Sequence, residues 1–314
     1  MIYRFQPLLK HTLWGGNRII RFKHLDTTAD GVGESWEISG VHGNETIVQG
    51  GPDDGKPLNL LVAEQQAALV GHDNYARFGN EFPLLIKFID AHRDLSVQVH
   101  PDDATARRLG FERGKNEMWY VLPSEDDAQL LNGLNRAITP DEYRRRVADD
   151  TITDVLARHS AREGDAFFIP AGRIHAIGAG CFVAEIQQTS DVTFRIYDYK
   201  RRDSHGQLRQ LHIEQAAQAI DFTVDHDYRV AYTPQLNQPV QLVSTPWFTT
   251  AVYDLDQPMT LDYSSLDSFV ILIAVGGEGA LTVAGQTAPF RTGETVLLPA
   301  TTQEVKVEGT VKFL

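Results

Sequence analysis

The 314-residue sequence has very little cysteine, since Cys181 is the single one. One cysteine excludes internal disulfide bonds and a zinc site built from thiolates, and it suits a chain in a reducing compartment. The sequence also lacks any run of about 20 apolar residues, the length of a membrane-spanning helix. Its first residues lack the apolar core of a secretion signal. We therefore expect a cytoplasmic protein without a membrane partner.

Positive charge is scarce. The chain has 29 Lys and Arg against 42 Asp and Glu, which gives a formal net charge of -13. This balance argues against nucleic acid as a partner. An anionic substrate would consequently need a local cluster of basic side chains. The 42% hydrophobic and 23% charged fractions are ordinary for a folded chain with a real core.

Helical patterns are also few. Apolar spacing predicts a helix over 57–70, and Thr139 starts a capping box with proline in the first helical position, which predicts a helix through Val147. The same spacing predicts helices over 152–159 and 213–220. Short strands with Gly and Pro turns fill most of the rest, which favours a mainly β sandwich or jelly roll over a βαβ fold. The clearest predicted strands are 84–89, 95–99, 118–122, 166–169, 182–187 and 192–197.

The most informative segment is GDAFFIPAGRIH, residues 164–175. An apolar run followed by Pro170 and Gly172 predicts a strand, a tight turn and a second strand that begins at His175. The segment matches the pattern G-x5-P-x-G-x2-H, the second signature of the cupin barrel, at every fixed position. This resemblance implies that His175 points into a barrel, where it could bind a metal ion.

The G-x5-P spacing recurs at Gly293–Pro299, without a histidine at the position that corresponds to His175. A recurrence by chance in a β-rich chain is the alternative to a true repeat. A repeat predicts two cupin-type jelly-roll β-barrels, the second degenerate and without a metal site. The predicted units are a catalytic metal-binding domain, 1–230, with helical insertions at about 55–75 and 139–160, and a C-terminal domain, 231–314.

Alternation in the strand that ends at Val99 places Ser96, Gln98 and His100 on one face. Polar side chains are costly to bury without partners, so this face either meets solvent or lines a functional cavity. Glu117 begins an apolar strand shortly downstream. Together with His175, these residues offer two imidazoles, a carboxylate and an amide oxygen, a set that suits zinc or a similar divalent ion.

Two further residues are candidates for chemistry. Alternation turns Glu185 toward the same interior as His175, where it could act as a general base. Arg195 lies in an apolar-flanked strand, and a buried arginine needs an anion, either Asp191 or Asp198 within the chain or a substrate phosphate. The basic set that an anionic substrate requires is completed by Lys87, Lys115 and the run Lys200–Arg202.

Taken together, these residues resemble the type I mannose-6-phosphate isomerases, or phosphomannose isomerases, in their short bacterial form. The resemblance extends in order from the N-terminus to about residue 203. The matching blocks are WGG (14–16), GESWE (33–37), PLLIKFIDA (83–91), LSVQVHPD (95–102), GKNEMWY (114–120), PAGRIHAIG (170–178) and EIQQTSDVTFRIYDY (185–199).

The resemblance implies a zinc enzyme that interconverts mannose 6-phosphate and fructose 6-phosphate through an enediol(ate), with one Zn²⁺ per chain. The implied metal ligands are Gln98, His100, Glu117 and His175. We further predict catalytic roles for Arg195, Lys115 and Glu185. Substrate or phosphate binding is predicted for Ser96, Lys87, Arg201 and Trp14.

Two other functions fit parts of this pattern. Two histidines and one carboxylate are also the facial triad of non-haem iron enzymes, so a cupin oxygenase is one alternative. A non-catalytic cupin that binds a sugar phosphate is the other. We expect a small-molecule sugar phosphate as partner, no nucleic acid, and a monomer or homodimer.

Overall fold

The computed structural model describes residues 1–203 and 205–314. Across these residues the protein is mainly β, as predicted, with the helices concentrated in the N-terminal two-thirds. The helices are α1 (Arg18–Phe22), α2 (Leu58–Gln65), α3 (Ala67–Val70), α4 (His72–Phe78), α5 (Asp103–Arg108), α6 (Pro140–Ala148) and α7 (Ile213–Ala219), with a 3-10 turn at Ile152–Val155.

The strands of the first two-thirds are β1 (Phe5–Gln6), β2 (Leu8–Gly16), β3 (Val32–Ser39), β4 (Ile47–Val48), β5 (Leu84–Asp90), β6 (Val97–Val99), β7 (Glu117–Val121), β8 (Gln129–Leu134), β9 (Leu156–Ser160), β10 (Ala166–Ile169), β11 (His175–Ile177), β12 (Phe182–Gln188) and β13 (Phe194–Tyr197). Those of the last third are β14 (Val240–Ser244), β15 (Thr249–Leu255), β16 (Met259–Asp262), β17 (Val270–Val283), β18 (Gln286–Arg291), β19 (Thr295–Leu298) and β20 (Glu304–Phe313).

Two antiparallel sheets carry the N-terminal part. One has the strand order β10-β7-β12-β5-β3-β2, and the other has the order β13-β6-β11-β8-β9. A third sheet contains β14 to β20, and β1 pairs with β4 in a small ribbon. The N-terminal segment also reaches the third sheet, because Tyr3 exchanges two backbone hydrogen bonds with Leu297 at 2.9 and 3.0 Å.

Apolar side chains fill most of the space between the two N-terminal sheets, and Trp119, Val121, Leu130 and Val183 are among them. The polar residues that interrupt this cluster define the site described below. The third sheet has its own apolar cluster, in which Phe290 and Phe313 have no exposed surface. No helix among the described residues is long and apolar enough to cross a membrane.

Local sequence signals placed several elements correctly. The Thr139 hydroxyl accepts a hydrogen bond from the Glu142 N–H at 3.1 Å, so the predicted N-cap of α6 is confirmed. The predicted helix over 57–70 exists but is divided at Gln66, whose φ of 52° separates α2 from α3.

The predicted helix over 152–159 is largely wrong. Its first residues form the 3-10 turn Ile152–Val155, but the rest is strand β9. Leu130 pairs with His159 and Leu131 with Arg158. This segment therefore supplies hydrogen-bond partners for the backbone N–H and C=O groups of β8. Pairing between strands outweighs the helical spacing here.

The two G-x5-P segments have matching local structure. Gly164 and Gly293 have φ values of +87° and +84°, a left-handed conformation that glycine adopts without strain. In each segment the strand, β10 or β19, begins two residues later and ends just before the proline.

Candidate metal centre

Strand register places four polar side chains in one row across the five-stranded sheet. Arg195 on β13 lies opposite Gln98 on β6, Gln98 lies opposite His175 on β11, and His175 lies opposite Asn132 on β8. Residues directly opposite each other in antiparallel strands point to the same face. The row therefore presents a cation, an amide, an imidazole and a second amide to the interior.

A second row crosses the six-stranded sheet. Trp119 on β7 lies opposite Glu185 on β12, Glu185 opposite Lys87 on β5, and Lys87 opposite Trp36 on β3. The two rows face each other, since the Trp119 ring meets the His175 ring edge-on with 5.4 Å between centroids. The polar residues of the two sheets thus line one interior.

Three fully buried side chains converge between the rows: His100, Glu117 and His175. His100 follows the last residue of β6, and Glu117 is the first residue of β7. Nε2 of His100 lies 3.4 Å from Oε2 of Glu117, and Nε2 of His175 lies 3.4 Å from Oε1. The sequence prediction that these three residues meet is confirmed, and they could hold a metal ion.

The second nitrogen of each ring contacts a backbone carbonyl. His100 Nδ1 lies 2.8 Å from the Val192 oxygen, and His175 Nδ1 lies 2.8 Å from the Arg173 oxygen. Donation from Nδ1 to a carbonyl fixes the ring and leaves Nε2 as an acceptor. Burial lowers the pKa of His100, as does nearby Lys115, and burial lowers the pKa of His175 to about 3. Both rings are therefore neutral at physiological pH.

The donor set fits a divalent cation. Burial alone would raise the pKa of Glu117, but the Lys115 ammonium brings it well below the usual value, so the carboxylate is ionised. The two neutral ring nitrogens and the anionic carboxylate therefore all offer lone pairs to a cation. His100 Nε2 and Glu117 Oε1 have no hydrogen-bond partner among the described residues. Ligands bound tetrahedrally to one zinc ion stand about 3.3–3.5 Å apart, close to the 3.4 Å separations here.

Two predicted residues adjoin this triad. Lys115 is buried, and its Nζ lies 2.8 Å from Glu117 Oε2. The Gln98 side-chain nitrogen lies 3.3 Å from His175 Nε2, so its amide group is within reach of the same centre. Because the amide oxygen and nitrogen of Gln are nearly isosteric, a flip of this group would present the oxygen instead.

Lys87 and Glu185 form a buried ion pair beside the triad, with Nζ and Oε1 at 3.0 Å. The Trp119 indole N–H donates to the other Glu185 oxygen at 2.9 Å. Lys87 also lies 3.8 Å from Glu34. Burial alone would lower the pKa of Lys87, but the Glu185 and Glu34 carboxylates raise it overall.

Arg195 has no carboxylate within ion-pair distance among the described residues. Its guanidinium donates to the Gln210 carbonyl at 3.0 Å, while its buried Nε has no partner in the described structure. Asp198, which could have paired with it, instead binds Arg201 and Arg209. Arg195 is therefore available to an external anion, whereas Arg201 already has an internal one.

The other two predicted binding residues lie in or beside the core. Ser96 is buried immediately before β6. Trp14 is 5% exposed and packs in the apolar cluster that contains Trp119. Asn132 and Gln187, which the sequence analysis did not single out, also face this interior, because Asn132 lies opposite His175 and Gln187 lies opposite Glu117.

These observations define the protein as a mainly β chain whose interior holds a His–Glu–His group able to bind a metal ion. Two family models match its sequence. The type I phosphomannose isomerase catalytic domain matches residues 2–128, and the mannose-6-phosphate isomerase cupin domain matches residues 239–314. The chain belongs to the mannose-6-phosphate isomerase family, and the resemblance predicted from sequence is confirmed.

Relatives match along nearly the whole chain. The mannose-6-phosphate isomerase of Streptococcus mutans serotype c is 32% identical over 98% of this chain and 96% of its own length. Mannose-6-phosphate isomerase ManA of Bacillus subtilis (strain 168) is 32% identical over 97% of this chain and 95% of its own. A crystal structure of the Bacillus subtilis mannose 6-phosphate isomerase superposes with a TM-score of 0.87, at 29% identity, covering 99% of this chain and 98% of that one.

Proposed function

We propose that this protein is a zinc-dependent enzyme that interconverts mannose 6-phosphate and fructose 6-phosphate. The observation that carries the proposal is the buried His100–Glu117–His175 group, in a chain 32% identical over its length to a mannose-6-phosphate isomerase. The reaction removes a proton from C2 of the open-chain aldose and returns one to C1. The carbonyl moves from C1 to C2 through an enediol(ate).

His100, Glu117 and His175 would hold one zinc ion per chain, with Gln98 as the fourth ligand. Imidazole nitrogen and carboxylate oxygen are the ligands that zinc takes in the absence of thiolates. When bound, such an ion supplies Lewis-acid polarisation of the carbonyl and of the oxyanion that develops from it. The backbone contacts of both Nδ1 atoms orient the two rings for this task.

The proton transfer is assigned to Glu185, with Lys115 and Arg195 as cationic partners. Glu185 is held by Lys87 and the Trp119 indole, which fix the orientation of its carboxylate. Lys115 lies against Glu117, where its ammonium can neutralise negative charge on a substrate oxygen. Arg195, on the sheet row that contains His175, can also stabilise this charge.

Phosphate binding is proposed for Ser96, Lys87 and Arg201, and sugar binding for Trp14. A guanidinium binds phosphate through two parallel hydrogen bonds. Arg195 also qualifies, because no described carboxylate lies within ion-pair distance of it. Arg201 would have to share its guanidinium with Asp198. The phosphate contacts fix the sugar relative to the metal centre.

We further propose that the two units, 1–230 and 231–314, are cupin-type jelly-roll barrels, and that the second has no metal site. Support comes from the cupin-domain match over 239–314 and from the apolar cluster inside the third sheet. A monomer or homodimer and a cytoplasmic location remain predictions.

A coupled assay that reports fructose 6-phosphate formed from mannose 6-phosphate tests the function. We expect turnover by the wild-type protein and its loss in Glu117→Gln, with Glu308→Gln, an exposed carboxylate of β20, as the matched control. Absence of turnover in well-folded, zinc-loaded protein would contradict the proposal. Stoichiometric iron with oxygen consumption would instead support a cupin oxygenase, and sugar-phosphate binding without turnover would support a non-catalytic cupin.

A further inference from the structure

We propose that Asn132 is a further substrate-binding residue, whose carboxamide binds the oxygen at the end of the sugar remote from the phosphate. The inference rests on the proposed isomerase function and deepens it. It assigns a role to the second neighbour of His175 in the sheet, on the side opposite Gln98.

The local backbone directs Asn132 into the interior. The pairing of β8 with β9 shifts register between Leu131 and Leu134, so β8 contains one extra residue there. Gly133, with φ of +77°, allows this irregularity, and the Tyr228 hydroxyl contacts both backbone groups of Leu134 at 3.1 and 2.8 Å. A bulge fixed in this way sets the direction of the preceding side chain.

The carboxamide of Asn132 is buried without a partner. The residue has no exposed surface, and neither the nitrogen nor the oxygen of its side chain makes a hydrogen bond to any described residue. An unpaired buried amide costs free energy, and folded proteins contain few of them. Gln98, the equivalent neighbour on the other side of His175, has a contact at 3.3 Å. Asn132 therefore lacks a partner directly beside His175 of the metal centre.

The charges of the residues in the row from Arg195 to Asn132 indicate which part of the substrate binds Asn132. The carboxamide both donates and accepts, as a sugar hydroxyl does. Neighbouring strands lie about 4.8 Å apart, so Arg195 and Asn132 are about 14 Å apart at the backbone, with His175 about 5 Å from Asn132. A cation at one end and a neutral amide at the other match a sugar phosphate whose phosphate lies toward Arg195. Asn132 then meets the oxygen on C1, one of the two reacting carbons. This oxygen is a carbonyl in the open-chain aldose and a hydroxyl in the ketose.

The test replaces Asn132 with leucine, which keeps the side-chain size and removes the amide. We expect kcat/KM for mannose 6-phosphate to fall about 5- to 100-fold, because the oxygen on C1 loses its partner. The thermal unfolding temperature should stay the same or rise, since an unpaired polar group has left the interior. Asn132→Ala removes the amide without adding bulk, and it replaces Asn132→Leu in the assay if the leucine variant does not fold.

Thr295→Val is the matched control. The Thr295 hydroxyl in β19 is also buried without a partner, so its removal makes the same kind of change in the third sheet. This variant should keep wild-type kcat/KM. Zinc content should be one per chain in all variants, because the Asn132 side chain makes no hydrogen bond to a residue of the triad. Wild-type kcat/KM in a folded Asn132→Leu protein would overturn the inference, as would loss of its zinc.

Two inhibitors that cannot be isomerised locate the contact. Mannitol 6-phosphate has a C1 hydroxyl, and 1-deoxymannitol 6-phosphate lacks it. Asn132→Leu should weaken inhibition by the first at least about 5-fold and leave the second within twofold. Equal losses for both would overturn the assignment to C1. An inactive wild-type protein would instead contradict the isomerase proposal itself, so the two failures are distinguishable.

Discussion

Replacement of Lys87 by methionine should destabilise the protein strongly, because it leaves the buried Glu185 carboxylate without its cation. The Nζ–Oε1 distance is 3.0 Å, and Lys87 and Glu185 are only 7% and 3% exposed. At an effective dielectric constant of about 20, this attraction is about 5 kcal/mol. Removing one member of a buried pair costs about 3–5 kcal/mol. We therefore expect the free energy of unfolding, measured in urea, to fall by about 3–5 kcal/mol.

A double-mutant cycle separates the pair from other effects of the methionine side chain. In Lys87→Met/Glu185→Gln no buried charge is left unpaired between these two residues, so the double variant should lose about 1–3 kcal/mol less than the sum of the single variants. Lys306→Met is the control, because its ion pair with Glu308 is as short, 2.8 Å, but 47% and 43% exposed. Its cost should stay below about 1 kcal/mol. Equal costs for Lys87→Met and Lys306→Met would refute the reasoning.

Three further outcomes are expected. His100→Ala should lose bound zinc and mannose 6-phosphate turnover together, which elemental analysis and the coupled assay would show; retention of both would contradict its role as a ligand. Burial raises the pKa of the Cys181 thiol to about 12, so at pH 8 iodoacetamide should label the unfolded but not the native protein by mass spectrometry. Thr139→Ala should lower the free energy of unfolding by about 1 kcal/mol in urea, because the Glu142 N–H loses its cap, while the exposed Thr301→Ala should change it little.

The sequence predicted those parts of the fold whose signals are local. The N-cap at Thr139 and the glycine turns at 164 and 293 depend on neighbouring residues, and both occur in the structure. The end of the helix predicted over 152–159 depends on β8, which is more than 20 residues away in sequence and needs a pairing partner. The division of the predicted helix at Gln66 could not be predicted either, because no proline or glycine marks it.

The site shows the same division. Motif spacing predicted His100, Glu117 and His175, and the structure brings them together. Asn132 was missed, because a single asparagine in an apolar strand has no signature until register places it opposite His175. The pairing of Arg201 with Asp198 could not be predicted from the sequence either, since Asp198 could equally have paired with Arg195.

The central claim is tested most directly by adding zinc to chelator-stripped protein. The measured quantity is the rate at which mannose 6-phosphate is converted to fructose 6-phosphate. Metal-free protein should be inactive. Activity should rise in proportion to added zinc and level off at one equivalent per chain, since the described residues offer one such group, His100, Glu117 and His175. Full activity in the metal-free protein, or no fructose 6-phosphate at one equivalent of zinc, would contradict the account.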